Sequence, residues 1–164
     1  MKMKMKINKN ERERYKMAKN IAIEGARILF RNFEGNEERF NRAGDRNFCI
    51  ALTQEKADEL SAEGWNVRVI EPKEDYDDPL YYIKVSVQYK NVPPKVYLVT
   101  SRAKTLLNEN TVGELDHIDI ANADLIISPY HWEVNGKRGV KAYLKTAYIT
   151  MDEDEFAYKY NEEL

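Results

Sequence analysis

The stretch LYYIKVSVQY, residues 80 to 89, limits the fold more than any other. Tyr81, Ile83, Val85, Val87 and Tyr89 share one side of a period of two, which only an extended strand turns into a single apolar face. The same period runs through VKAYLKTAY, residues 140 to 148, where Val140, Ala142, Leu144 and Tyr148 point one way and Lys141, Tyr143 and Lys145 the other. IAIEGARILFRNF (21 to 33, with Gly25 as a bulge), NFCIAL (47 to 52), WNVRVIEP (65 to 72), KVYLVTS (95 to 101) and LIISPYHWEV (125 to 134) extend the strand pattern. One helix interrupts it. Thr53 starts a helical run in which Ala57, Leu60 and Ala62 point inward, and Gly64 stops it. Residues 102 to 123 read as a long connection holding a short helix. Six or seven strands with one or two short helices predict a mainly β barrel or sandwich.

At 164 residues and 43% apolar content the chain suits one domain with a real core. No apolar run approaches the roughly 18 to 20 residues that span a bilayer, and MKMKMK leads into ERERYKMAKN instead of an apolar signal segment, so no membrane association and a cytoplasmic location are expected. Cys49 is the single cysteine and lies in an apolar run, where a small core residue is expected. The net charge of −2 conceals a gradient: residues 1 to 20 carry +6 and residues 151 to 164 carry −5, leaving −3 between them. A binding surface for a polyanion must therefore come from arrangement and not from bulk charge. The chain divides into a basic N-terminal arm (1 to 19), a β domain (20 to 151) and an acidic C-terminal tail (152 to 164).

The polar rows of the strands hold a recurring pairing of cation and ring. Arg27, Arg31 and Phe33 share a face of one segment, Tyr82 and Lys84 of another, Lys95 and Tyr97 of a third, and Lys141, Tyr143 and Lys145 of a fourth. Cations track a phosphate backbone and aromatic faces stack on unpaired bases, so this pattern points to a single-stranded nucleic acid. The competing reading is that tyrosines favour exposed strands and lysines protect strand edges from aggregation. Catalytic patterns are weak. His117 and His131 lack metal-ligand spacing, DHIDIANAD reads as a loop with capping acids, EDYDD reads as a solvated turn, and no phosphate loop or nucleophile elbow is present. No enzyme activity, cofactor or metal is expected.

RILFRNF, GDRNFCIAL, EGWNVRVI, PYHWEVNGKRGVKAYLKTAYI and the acidic tail together resemble bacteriophage single-stranded DNA-binding proteins of the OB-fold type, over roughly residues 20 to 164. The resemblance implies an OB-fold-like five-stranded barrel with extra strands, and sequence-independent binding of single-stranded DNA in phage or prophage replication or recombination. It places Lys137, Arg138, Lys141, Tyr143 and Lys145 in a hairpin bordering the DNA groove. It also implies that the tail, through Asp152, Glu153, Asp154, Glu155 and Phe156, contacts replication or recombination proteins. The mixed acidic and aromatic composition of that tail suits a mobile segment that competes for a basic groove or docks on a partner. The basic arm could add cations to a nucleic acid complex, solubilise the chain or contribute to a homo-oligomer. The alternative function is a β-rich phage interaction module, structural or anti-defence, whose tyrosine and lysine face meets another protein.

Overall fold

The computed structural model describes residues 18–160; the basic arm up to residue 17 and the last four residues of the tail lie outside the described part. In chain order the elements are β1 (Ile21–Ile23), β2 (Ile28–Asn32), β3 (Arg46–Leu52), α1 (Gln54–Ala62), β4 (Val67–Ile70), β5 (Leu80–Val87), β6 (Lys95–Val99) and β7 (Lys104–Leu107). A 3₁₀ turn (Val112–Asp116), the long strands β8 (Ile120–Val134) and β9 (Lys137–Met151), and the single turn α2 (Ala157–Tyr160) complete the described chain.

The strands form one mixed, nine-stranded sheet with the order β1-β8-β9-β5-β3-β2; β4 adds to β5, and β6 joins β9 to β7. Its two end strands are successive pieces of chain. Residues 24 to 27 connect them, Gly25 taking φ +59, and the backbone bonds change partner along the way: Ala26 donates to Ala123 of β8, whereas the Arg27 carbonyl accepts from Ala51 of β3. The sheet thus curls round without a ladder joining β1 to β2. The path β2-β3-β5-β9-β8 forms the five-stranded, partly open barrel of an OB-like fold, and β1, β4, β6 and β7 are the extra strands.

Strand β9 is the axis of this arrangement. It pairs antiparallel with β8 along its whole length, parallel with β5 at Ala142 and Tyr143, and parallel with β6 from Thr146 to Thr150. The alternation does not continue unbroken, because the register shifts between the Ile126–Thr146 and Ile127–Leu144 pairs and leaves Lys145 as an extra residue. Val140, Ala142 and Leu144 are buried before the bulge, and Ala147 and Ile149 after it. Tyr148, which unbroken alternation would turn inward, instead lies on the outer face, 39% exposed and stacked on Tyr97 at 5.0 Å.

The core fills the curl with Phe33, Phe48, Ile50, Ile83, Val85, Leu125, Ile127 and Ile149, and α1 adds Ala57 and Leu60 while Ala62 stays exposed. The start of α1 follows its sequence signal: the Thr53 hydroxyl oxygen accepts the Lys56 N–H at 3.1 Å. Its end depends on Gly64, whose φ of +94 turns the chain back so that the Trp65 N–H donates to the Leu60 carbonyl at 3.1 Å and the indole enters the core. The segment 102 to 123 is more ordered than its sequence suggests. It supplies β7, paired with β6, before the 3₁₀ turn. Replacing Thr53 by Ala should lower the unfolding free energy by about 1 kcal/mol in urea titration. An unchanged midpoint would mean that the cap contributes nothing.

Candidate nucleic-acid interface

Residues of β3, β4, β5 and β9, with the chain that enters β4, enclose a groove of about 830 Å³. Among the described residues six cations line it, Arg46, Arg68, Lys84, Lys90, Arg138 and Lys141, against two carboxylates, Asp45 and Glu109. That local excess stands in a chain of net charge −2. Pairing explains the convergence: Arg68 lies opposite Tyr82, Cys49 opposite Lys84, Asn47 opposite Ser86, and Ser86 opposite Tyr143. Residues far apart in sequence thus become one outward row.

Rings extend this surface. On β9 the Lys141 ammonium sits 5.1 Å from the Tyr143 ring centroid, and Tyr143 meets Tyr130 edge-on at 5.9 Å. Beyond them Trp132 lies across Gly139. A Cβ at position 139 would fall 2.5 Å from the indole Cζ2, so glycine is what allows the ring to lie flat there. At the other end Tyr82 packs edge-on against Phe30 at 5.9 Å. Phe30 has φ +52 and is 58% exposed, a left-handed backbone unusual for a bulky residue. A register shift between Leu29 and Asn32 puts it there.

Among the described residues, the buried donors Arg46 Nε, Trp65 Nε1 and Tyr89 Oη on the groove wall have no acceptor. A ligand rich in acceptor oxygens suits such a wall better than one that donates. Burial pushes the Tyr89 phenol up to about 12, against a smaller opposing effect of Arg46 and with a further rise from Glu109, so it remains a donor at neutral pH. Burial likewise raises the Cys49 thiol, with Lys84 and Arg68 opposing, which leaves it a poor nucleophile.

The residues expected from the sequence separate into groups. Lys84, Arg138 and Lys141 line the groove, and Tyr82 and Tyr143 share outward rows with them. Lys137 is exposed beside the β8–β9 turn, Lys145 is the bulged residue further along β9, and Arg27 is exposed on the β1–β2 link. Lys95 and Tyr97 do not line the groove; they lie on β6, where Tyr97 stacks on Tyr148 and Lys104 Nζ is 5.0 Å from its centroid.

Arg31 and Phe33 do not reach the outward face, because the bulge at Phe30 breaks the alternation that grouped them. Arg31 Nη1 donates to the carbonyls of Leu115 and Ile118 at 2.7 Å each, and Phe33 is 1% exposed and stacked on Phe48 at 4.9 Å. Asp116 fixes the same corner by accepting from the N–H groups of Phe33 and Glu34 at 2.8 and 3.0 Å. The tail begins tied down: Asp152 N donates to Asp119 O at 2.7 Å, and the Glu153 carboxylate accepts from Ser101 N at 3.3 Å. Asp154 Oδ1 accepts from Phe156 N at 2.8 Å, while Glu155 and Phe156 are exposed.

Sequence reasoning missed Phe30, Arg46, Arg68, Tyr130 and Trp132. Arg68 and Trp132 could have been found from alternation in VRVI and PYHWEV. Phe30 could not, since its orientation comes from the bulge.

A curled sheet with a cationic, ring-bordered groove across its middle strands defines an oligonucleotide-binding type of protein. Residues 10–163 match the family described as "Putative phage ssDNA-binding domain", and the chain belongs to that family, one of binding proteins without catalytic activity. Among solved structures, the single-stranded DNA-binding protein from bacteriophage Enc34 in complex with ssDNA has the same fold at a TM-score of 0.51 and 13% identity, over 84% of this chain and 89% of that one. A further structure of the single-stranded DNA-binding protein from bacteriophage Enc34 gives a TM-score of 0.51 at 12% identity, over 84% and 83%. The single-stranded DNA-binding protein encoded by bacteriophage T7 gives 0.39 at 13% identity, over 89% and 97%. No curated protein sequence is significantly similar. Among the described residues no helix is long and apolar enough to cross a membrane.

Phe33→Ala should cost about 3–5 kcal/mol of stability in urea unfolding, the range for emptying a packed aromatic site. A loss below about 1 kcal/mol would place the ring outside the core.

Proposed function

We propose that the chain binds single-stranded DNA without sequence preference, holding it in the groove between β3, β5 and β9. The observation that carries this reading is the convergence of six cations and two carboxylates on one groove bordered by Trp132, Tyr143 and Tyr82. Arg68, Lys84 and Lys141 follow successive phosphates, and the rings stack on bases whatever their identity. Lys137, Arg138 and Lys145 extend the cationic track along the hairpin and β9. Membership of the phage family supports the choice of DNA and a role in phage replication or recombination, in the host cytoplasm.

Titration of oligo-dT against duplex of equal length tests the reading, with tighter binding of oligo-dT expected. Lys84→Ala and Lys141→Ala should each lower the log-log salt slope by about 0.7. Tyr143→Ala should weaken binding by about 1–3 kcal/mol. Equal affinity for both substrates, or wild-type behaviour of all three variants, would remove this face from the site and favour a protein partner.

In this reading residues 20 to 151 are the binding domain, the basic arm adds cations, and the acidic tail both competes with DNA and contacts replication or recombination proteins. Reach supports the competition. Beyond the tie at Glu153, eleven residues remain, and with α2 unwound an extended chain of that length spans about 36–40 Å. Lys141 lies ten residues back from Met151 along β9, about 33 Å at strand rise. The tail can therefore just meet the groove. Removing residues 154 to 164 should raise affinity for oligo-dT, most at low salt, with the melting temperature unchanged. Lower affinity at an unchanged melting temperature would contradict competition.

A further inference from the structure

The loop between β2 and β3 ends in a ring that the groove does not use. Glu38 and Asn41 pair through both backbone bonds, at 2.9 and 3.1 Å, which leaves Arg39 and Phe40 at the tip of a tight turn. Phe40 is 88% exposed, and the Arg39 guanidinium carbon lies 5.2 Å from its ring centroid.

Such a ring would be unremarkable on a loose loop, but this loop is built stiff. Asn41 Nδ2 donates to the carbonyls of Asn36, Arg42 and Asp45 at 2.8, 3.1 and 3.0 Å. Asn47 Nδ2 donates to Asn41 Oδ1 at 2.7 Å. Asn32, a buried polar residue, exchanges two further bonds with the backbone of Asn36, at 2.8 and 3.0 Å. Gly35 and Gly44 close the neck, since the Gly44 N–H donates to the Gly35 carbonyl at 2.8 Å and a Cβ on Gly35 would fall 3.0 Å from Gly44. Amide bonds of this density hold the tip in one place, and an apolar group held out in water in one place is a preorganised contact. The base of the loop, Gly44 and Asp45, lines the groove, so the tip stands no more than about 14 Å from its edge along the chain.

The charge of the loop says what kind of contact this is. Residues 34 to 45 carry four carboxylates and two arginines. A net negative loop is a poor phosphate clamp, so the ring is the recognising element. Arg39 lies over one side of it, and among the described residues no other ring or cation is stacked on it.

We propose that Phe40 is a stacking finger that takes an unpaired base of the strand where it leaves the groove past Gly44 and Asp45, with Asn41 as the residue that positions it. This rests on the groove binding single-stranded DNA.

The test compares wild type with Phe40→Ala, Phe40→Tyr, Asn41→Ala and Lys84→Ala on oligo-dT and on an abasic oligonucleotide of equal length. Phe40→Ala should bind oligo-dT about tenfold or more weaker with an unchanged salt slope, since a stack carries no counterion release. Phe40→Tyr should bind like wild type. Asn41→Ala should share the deficit, and on the abasic strand the Phe40→Ala deficit should vanish because there is no base to stack. An equal deficit on both strands would overturn the proposal by making Phe40 a structural residue. So would wild-type affinity of Phe40→Ala on oligo-dT while Lys84→Ala is weakened, including a case in which Phe40→Ala alters only the oligomeric state in sedimentation. Failure of wild type itself to prefer oligo-dT over duplex would instead strike the groove reading.

Discussion

The three ladders on β9 hold the rest of the structure in place. A strand bonded to β8 on one edge, and to β5 and then β6 on the other, has no free edge over most of its length and fixes the position of both flanking layers. The bulge at Lys145 follows from that double duty, because the extra residue adds local twist between the part of β9 that pairs with β5 and the part that pairs with β6. Without the parallel contact of Val85 and Ser86 with Ala142 and Tyr143, the cations of β5 and β9 would face the same solvent without forming one groove.

Electrostatics in this protein are a matter of placement. The chain is slightly acidic, yet the groove gathers arginines and lysines from β3, β4, β5 and the chain just after it, and β9. Several acids are held away from it: Asp116 binds the backbone of residues 33 and 34, and Glu153 binds Ser101. The polar core follows the same economy. Asn32 is buried because it organises the β2–β3 loop, so a polar group that burial would otherwise penalise is satisfied locally.

Part of the candidate site was legible from residue order. Alternation placed Tyr82, Lys84, Lys141 and Tyr143 on outward rows, and the helix between Thr53 and Gly64 announced itself by its cap and stop. Most of the departures fall at two bulges and one connection. The bulge at Phe30 sent Phe33 into the core and Arg31 to the backbone of the 3₁₀ turn, and the bulge at Lys145 moved Tyr148 to the outer face. A bulge is a bargain between two strands, and neither strand's sequence states it alone. Strand β7 was missed because KTLL is too short to show a period without its partner β6.

The sequence by itself determined most of the strand content, the helix capped by Thr53, the pairing of cations with rings and the charge gradient from one end of the chain to the other. These are local properties, fixed by the period of side chains along a strand and by the capping needs of a helix. Only the tertiary structure decided which outward rows lie side by side, that Arg46 and Arg68 join Lys84 and Lys141, that Lys95 and Tyr97 stand apart, and that Phe40 is held out on a stiff loop. Those depend on long-range pairing and on single-residue register shifts, where one inserted residue reverses every face that follows it.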